Sequence, residues 1–558
     1  MFLQPETHAI TEEQLINEVR AIYAGLVMVE KKCIEIDKQQ SNNADGLKEL
    51  QWQALIALHR TLLHEHHDFF LASNHPAASV VLRKLADKYS MPARMWRYGI
   101  HSFLELLRKK LPASLEHMLS YIYMAYSMMT LLLESVPAFE RTWIECLGDL
   151  ARYRMAIEEI DMSERDKWSG VARQWYSKAA DKSPEVGRIQ HHLAVLARPN
   201  LLQQLFYYSK SLTSIQPFTN ARDSIALVFG PLLDASKPVN KSNPEILIKF
   251  VKVHGLFFRR GEVSKALPLA KSFLDQLDDH IESVGAIFRE QGVYISSSNY
   301  AAIFDYGQSD SKLFPMFDSK NLAQESKQEI VDAACAYWAN PPCQQTAISL
   351  REIPENLDLR FHTSDHVASY ASHLAFYTLE LVLERIGDRD VLPYAHVSLA
   401  FLWCISLVPK SMEYIQADVP WARIASFLNS LIKSEKGKEK TDTDEFPVNE
   451  TSKQLPEDFL IRGLAWSQLY YPEDFFDEIA DEEERSVEAP SVVIPRTKRC
   501  LWLGLNIAKL NCWIKYDDEK RRFFATSFTE ELAGLTEGHQ VLSRHNEQHD
   551  VDTKMTGV

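Results

Sequence analysis

Residues 175–217 read WYSKAADKSPEVGRIQHHLAVLARPNLLQQLFYYSKSLTSIQP, and one string nearly repeats inside them. Tyr176-Ser177-Lys178-Ala179 returns as Tyr208-Ser209-Lys210-Ser211, an offset of 32 residues, and Pro184 returns as Pro217, an offset of 33. A period of about 34 residues, with aromatic and small residues at matched places, is the signature of stacked helix pairs. Small residues let paired helices approach, and the proline ends the second helix because it lacks an N–H and clashes with the preceding turn. Two such units bury too little by themselves, so the repeat predicts further helices stacked against them.

Working outward, helical spacing dominates. Leu15, Val19, Ile22, Leu26, Val29 and Cys33 form one apolar stripe on a helix over 10–37, and Leu50, Ala54, Ala57, Leu58, Leu62 and Phe69 predict a second over 46–71. Further helices are expected over 93–110, 114–135 and 138–159, with Pro92 at a helix start and Pro112 at a break. Residues 243–290 and 326–433 predict longer helices, with 292–325 an irregular insert. The stretch SEKGKEKTDTDEFPVNETSKQ (434–454) is polar and charged and predicts a linker. Helical segments resume over 455–535. Within them, 473–488 holds nine acids against Arg485 and predicts a solvated loop. The expected division is therefore 1–235, 236–433, a linker 434–454, a C-terminal helical element 455–535 packing on the array, and a disordered tail 536–558. The fold class is all-α, an antiparallel helical array followed by a helical-hairpin domain.

The 558 residues exceed what one core holds, and an apolar share of 46% supplies more than one. Net charge is −15, so any nucleic-acid contact needs a local basic face. Seven scattered cysteines without a CxxC pair predict reduced thiols rather than a disulfide frame. The start, MFLQPETHAITEEQ, has neither a basic n-region nor a long apolar run and predicts no secretory signal. The apolar stretches 391–409 and 119–133 are interrupted or short and predict buried core helices, so no membrane partner is expected. Dinucleotide-binding, P-loop, nucleophile-elbow and HExxH patterns are all absent, which predicts a protein that is not an enzyme and needs no cofactor. His59, His64, His66, His67 and His75 crowd one stretch; His64 and His67 share a helix face, but no further ligands are spaced as zinc requires, so no metal is expected.

Three runs carry a resemblance. They are LGDLARYR (147–154) followed by ARQWYSKA (172–179), HLAVLA (192–197) followed by LFYYSKSL (205–212), and LPEDFLIRG (455–463). In this order and spacing they resemble the EST/SMG family of telomerase-associated and nonsense-mediated mRNA decay factors, most closely fungal-type members. The resemblance covers most of residues 10–535 and is densest over 93–225 and 455–515. It implies a 14-3-3-like and tetratricopeptide repeat N-terminal region. Some members end in a PIN-type nuclease, which needs aspartates on a parallel sheet. No strand-Asp pattern follows residue 455 here, Asp517-Asp518 reads as surface, and no nuclease is expected.

The family's 14-3-3-like groove binds phosphoserine peptides, whose three oxygens suit guanidinium forks and a tyrosine hydroxyl. By resemblance, Arg152 and Tyr153 match the arginine–tyrosine pair, and the second cation is Arg60 or His59, where some members have lysine. The competing reading of the same arginines is structural, with Arg152 and Arg154 paired to Asp149, Glu145 or Glu158. A phosphopeptide-binding decay adaptor is the first functional expectation, its partner a phosphorylated decay helicase or related factor. The second is a telomerase-associated protein that binds single-stranded telomeric DNA or telomerase RNA, since the family region is also described as a DNA/RNA-binding domain. Arg83, Lys84, Arg94, Arg97, Arg108, Lys109 and Lys110, interleaved with Trp96 and Tyr98, form the basic patch for that role. A structural scaffold is the third. Family hetero-oligomers and a nuclear and cytoplasmic location go with the resemblance.

Overall fold

The computed structural model describes residues 10–42, 47–234, 236, 242–322, 326–339, 364–434, 446–448, 454–478 and 492–537. The expected tail and most of the expected linker and acidic loop lie outside them. The fold is all-α, with one two-stranded hairpin among the described residues. It divides into two compact units, 1–183 and 184–558.

In the first unit the longer helices are α1 (Glu12–Asn42), α2 (Glu49–Ser73), α3 (Ser102–Lys109), α4 (Leu115–Ser135), α5 (Glu140–Ile157) and α6 (Met162–Lys182). α1 packs on α2, α4 on α5, and α5 on α6. The stripe on α1 buries Leu15, Val19, Leu26 and Cys33 as its spacing predicts. The stripe on α2 differs from expectation. Trp52, Leu55, His59, Leu62, His66 and Phe69 face inward, while Leu50 is 78% exposed. Histidines rather than leucines complete that face. A π-helical turn, Met95–His101, precedes α3. Such a turn breaks the regular ladder and leaves a carbonyl for other donors. Here Gly99 O accepts from His59 Nδ1 at 3.2 Å and from the Tyr121 hydroxyl. A Cβ at Gly99 would stand 2.9 Å from Leu63 Cδ2, so the end of that side chain would have to shift to admit one.

The second unit contains α7 (Gly187–Leu196), α8 (Leu201–Thr213), α9 (Ala221–Leu233), α10 (Glu245–Phe258), α11 (Val263–Asp275), α12 (Phe288–Ile303), α13 (Lys327–Trp338), α14 (Ser364–Glu384), α15 (Leu392–Ser406), α16 (Trp421–Ser434), α17 (Val493–Lys509) and α18 (Ser527–Glu537). The units part at 183/184, whereas the sequence reading ran its first domain to 235. α7 packs on α8, and α8 on α12, so the second half of the repeat shares this unit's core. α12 takes the first part of the expected irregular insert, and from Gly292 to Ile303 every residue is buried, whereas turns and helical pieces of three or four residues follow as far as Leu322. Its serines resemble loop composition, yet Ser296 donates to Val293 O at 3.1 Å inside the helix. β1 (Ile514–Asp517) and β2 (Arg522–Ala525) form an antiparallel hairpin where a helical segment was expected. No single helix among the described residues is long and apolar enough to cross a membrane. The pair Leu115–Ser135 and Pro137–Ile157 passes by length and composition together but is bent by 109°. α15 is buried at every position.

The LPED run forms a short helix, Pro456–Ile461, that ties α15 to α17 through charge. Arg496 Nε and Nη2 donate to Glu457 Oε1 and Oε2 at 2.6 and 2.8 Å, and both side chains are 1% exposed. His396 Nδ1 lies 2.9 Å from the same carboxylate. Burial alone would raise the Glu457 pKa, but Arg496 and then His396 outweigh it and hold it well below the usual carboxylate range.

Farther along, Gly463 sits at φ +80° with its Cα against the Pro184 carbonyl, where a Cβ would come within 1.9 Å of the oxygen. Ile215 N donates to Gly463 O at 3.0 Å, and Lys210 Nζ, 4% exposed as a residue, donates to Leu460 O at 2.7 Å.

Candidate nucleic-acid interface

Part of each set of residues expected to bind ligands meets on one surface of the first unit: Arg108 from the basic patch and Arg152 and Tyr153 from the expected phosphate site. The π-turn and α3 bring Trp96, His101, Glu105 and Arg108 into a chain of contacts with Tyr153 and Arg152 of α5, with Arg97 and Tyr98 next to Trp96 in sequence. Trp96 and His101 rings are 6.4 Å apart, and His101 and Tyr153 rings are also 6.4 Å apart. Arg97 lies over Tyr98 at 5.3 Å and Arg152 over Tyr153 at 5.8 Å. His101, Arg97, Arg108 and Lys109 are exposed, while Trp96, Tyr98 and Tyr153 are half-buried. Rings alternating with cations can stack bases and meet phosphates.

Acids order this surface. Tyr153 donates its hydroxyl to Glu105 Oε1 at 2.8 Å, and Arg108 Nη2 donates to Glu105 Oε2 at 2.6 Å. Burial raises the Glu105 pKa, yet the hydrogen bonds from Tyr153 and Arg108 outweigh it and set it below its ordinary value. Burial and then the Glu105 contact push the Tyr153 phenol up, so it stays a donor. Arg152 Nη2 donates to Asp149 Oδ1 at 3.0 Å and Nε to the Tyr176 hydroxyl at 3.2 Å. Tyr176 in turn donates to the same Asp149 oxygen at 2.6 Å. Burial works against the Arg152 charge, and Tyr176 and Asp149 outweigh it. The Arg152 side chain is still 32% exposed, so one edge faces solvent.

The remaining expected residues separate into engaged and open. His59 is 0% exposed and holds Gly99 O and Asp37 Oδ1, the latter at 3.1 Å, so it is a core residue and not a phosphate contact. Its place in the stripe Leu55–His59–Leu62–His66 was the available signal. Arg60, the next residue, is exposed. Arg94 is spent on Glu30, with Nε–Oε2 at 3.0 Å and Nη2–Oε1 at 2.9 Å, and leaves the basic patch. Arg83 and Lys84 are exposed, Arg83 donating to Pro76 O at 2.9 Å, and Lys110 is half-buried. Arg154 pairs with Glu158 at 2.9 Å, as the structural reading of these arginines has it. Of the histidine run, His66 is buried and its pKa is lowered to about 4 by burial. No group of His, Cys, Asp or Glu suited to a metal occurs among the described residues.

Comparison with known proteins adds a family. Residues 172–292 match the model of the Est1 DNA/RNA binding domain. The EST/SMG-like protein 2 of Saccharomyces cerevisiae is 22% identical over 227 residues, which is 38% of this chain and 18% of that protein. The telomerase-binding protein EST1A of Danio rerio is 35% identical over 86 residues, 15% of this chain and 5% of that protein. The chain therefore spans less than a fifth of either relative. The crystal structure of Est1 and Cdc13 aligns with 89% of this chain and 99% of that one, at 12% identity and a TM-score of 0.46.

Proposed function

We propose that this chain, which belongs to the EST/SMG family, is a non-enzymatic, telomerase-associated protein whose first helical unit binds single-stranded DNA or RNA. The observation that carries the reading is the row Trp96–His101–Tyr153, flanked by Arg97, Arg108 and Arg152. Stacking on such rings tolerates any base, and the cations supply attraction that the chain's overall charge of −15 opposes. The match of residues 172–292 to a DNA/RNA-binding domain supports the class of ligand, although it begins after this row and lies mostly in the second unit. A nuclear location and a partner at the telomere follow from the proposal.

A phosphoserine-binding role asks more of the same residues. Arg152 would have to leave Asp149 and Tyr176, and Tyr153 would have to leave Glu105. The test is fluorescence anisotropy with a labelled single-stranded telomeric-repeat oligonucleotide, its RNA counterpart and a duplex, across a salt series. Single-strand binding with a log–log salt slope of about −2, from two to four phosphate contacts, is expected. Arg97→Glu and His101→Ala should each weaken it about tenfold without changing the circular dichroism. Displacement by a phosphoserine peptide, with no salt-dependent oligonucleotide binding, would replace this reading with the adaptor one. Binding of neither would leave only a scaffold.

A further inference from the structure

Phe446 stands within the polar stretch 434–454, and its ring is docked in the second unit. It lies over the Arg499 guanidinium, with 3.9 Å from Cζ to the ring centroid. Trp502 and Phe475 meet it edge-on, each with centroids 5.1 Å away, and Tyr470 lies at 5.4 Å. Phe446, Pro447 and Val448 belong to no helix or strand, and no backbone hydrogen bond joins them to other described residues.

The slot beneath is richer in donors than its occupant can use. Arg499 is 2% exposed, yet its Nε has no acceptor among the described residues. Its nearest carboxylate, Asp458, is 3.9 Å away, and Nη1 reaches only the Tyr470 hydroxyl at 3.3 Å. The Trp502 indole Nε1 is also buried without an acceptor. A phenyl ring covers the faces of these groups and satisfies neither N–H. A ligand that supplied an aromatic ring together with a carbonyl or carboxylate oxygen would satisfy both needs.

We propose that the Phe446 slot is a docking site for an aromatic-bearing peptide segment of a partner protein, occupied in the free chain by Phe446 itself. Arg499 offers the charged face, Trp502 and Phe475 the walls, and the two unused N–H groups the reward for a better ligand. Phe446 holds its place through tethering, because a short linker raises its local concentration to the order of millimolar. A partner competes by affinity and displaces the Phe446 ring.

The test uses the full chain and a fluorescein-labelled peptide of residues 441–452. Phe446→Ala should bind the peptide saturably, and the wild type at least tenfold more weakly, since its own ring blocks the slot. The same peptide with alanine in place of phenylalanine should not bind either protein. Near-ultraviolet circular dichroism of the Phe446→Ala protein establishes that the slot's tyrosines and tryptophan remain packed. If that folded variant shows no saturable binding up to millimolar peptide, or if wild type and variant bind alike, the slot is fixed packing and the proposal is overturned.

Discussion

Glu457→Gln is the most informative single change in the second unit. The substitution keeps volume and removes one charge from a pair that is 1% exposed on both sides. Arg496 would keep its charge because guanidinium groups do not release protons in proteins. It would then be buried beside a neutral amide that accepts through one oxygen only, in place of two bonds of 2.6 and 2.8 Å. Breaking a buried pair by removing one partner costs about 3–5 kcal/mol, most of it the uncompensated charge. The intact pair itself is worth far less, because both ions were desolvated to form it. A double variant, Glu457→Leu with Arg496→Met, should therefore be more stable than Glu457→Gln. Urea titration followed by tryptophan fluorescence measures this. With an m-value on the order of 3 kcal/mol/M, the midpoint should fall by about 1 M or more for Glu457→Gln. A fall under about 0.3 M, or a double variant less stable than the single one, would refute the reasoning. It would mean that water or a further partner of Arg496 takes over from the lost carboxylate, and that Glu457 does not carry the cluster.

Other outcomes follow from the same geometry. Arg94→Met should destabilise the first unit, because Glu30 loses both hydrogen bonds, while oligonucleotide affinity stays within about twofold; a large loss of affinity would return Arg94 to the basic face. His254 is pushed down to about 3 by burial, whereas an unfolded histidine titrates near 6.5, so the unfolded chain binds the extra proton between those values. Stability should then fall as pH drops from about 6.5 toward 3, by up to about 1.4 kcal/mol per pH unit, and His254→Asn should flatten that slope in urea titrations at several pH values. Gly463→Ala should destabilise by at least about 1–3 kcal/mol, through the positive φ and the Pro184 carbonyl, seen as lost hydrogen-exchange protection at Ile215.

Much of the fold was legible because its signals were periodic. Tyr176 and Tyr208, one repeat apart, are both buried at matching places, and both prolines follow helix ends. The α12 segment was not legible, because a helix surrounded on all sides shows no polar face, and only Ser296 of its three consecutive serines finds an acceptor within the helix. The hairpin at 514–525 is too short to show an alternating pattern against the helices beside it. For the candidate site, the sequence offers residue types and leaves their burial open. His59 and Arg60 are neighbours in sequence, yet one faces the core and the other solvent. Ungapped matching to a motif carries no information about which face a helix turns inward, and the stripe read for α2 did not supply it either, since Leu50, Ala54 and Ala57 are exposed and His59 and His66 take the inward places. Nor does sequence show that Arg94 is consumed by Glu30, 64 residues away.

Lys210 reaches across 250 residues of chain to the Leu460 carbonyl. During synthesis at roughly 5–20 residues per second, α8 leaves the ribosome some 12–50 seconds before its acceptors exist. For that interval the carbonyls that receive its ammonium group in the finished fold are missing, and the apolar surface that the LPED helix covers stays uncovered. Completion of the core is thus timed by the arrival of the LPED helix, and a nascent chain stalled before residue 455 would present an unfinished unit to the cell's quality control.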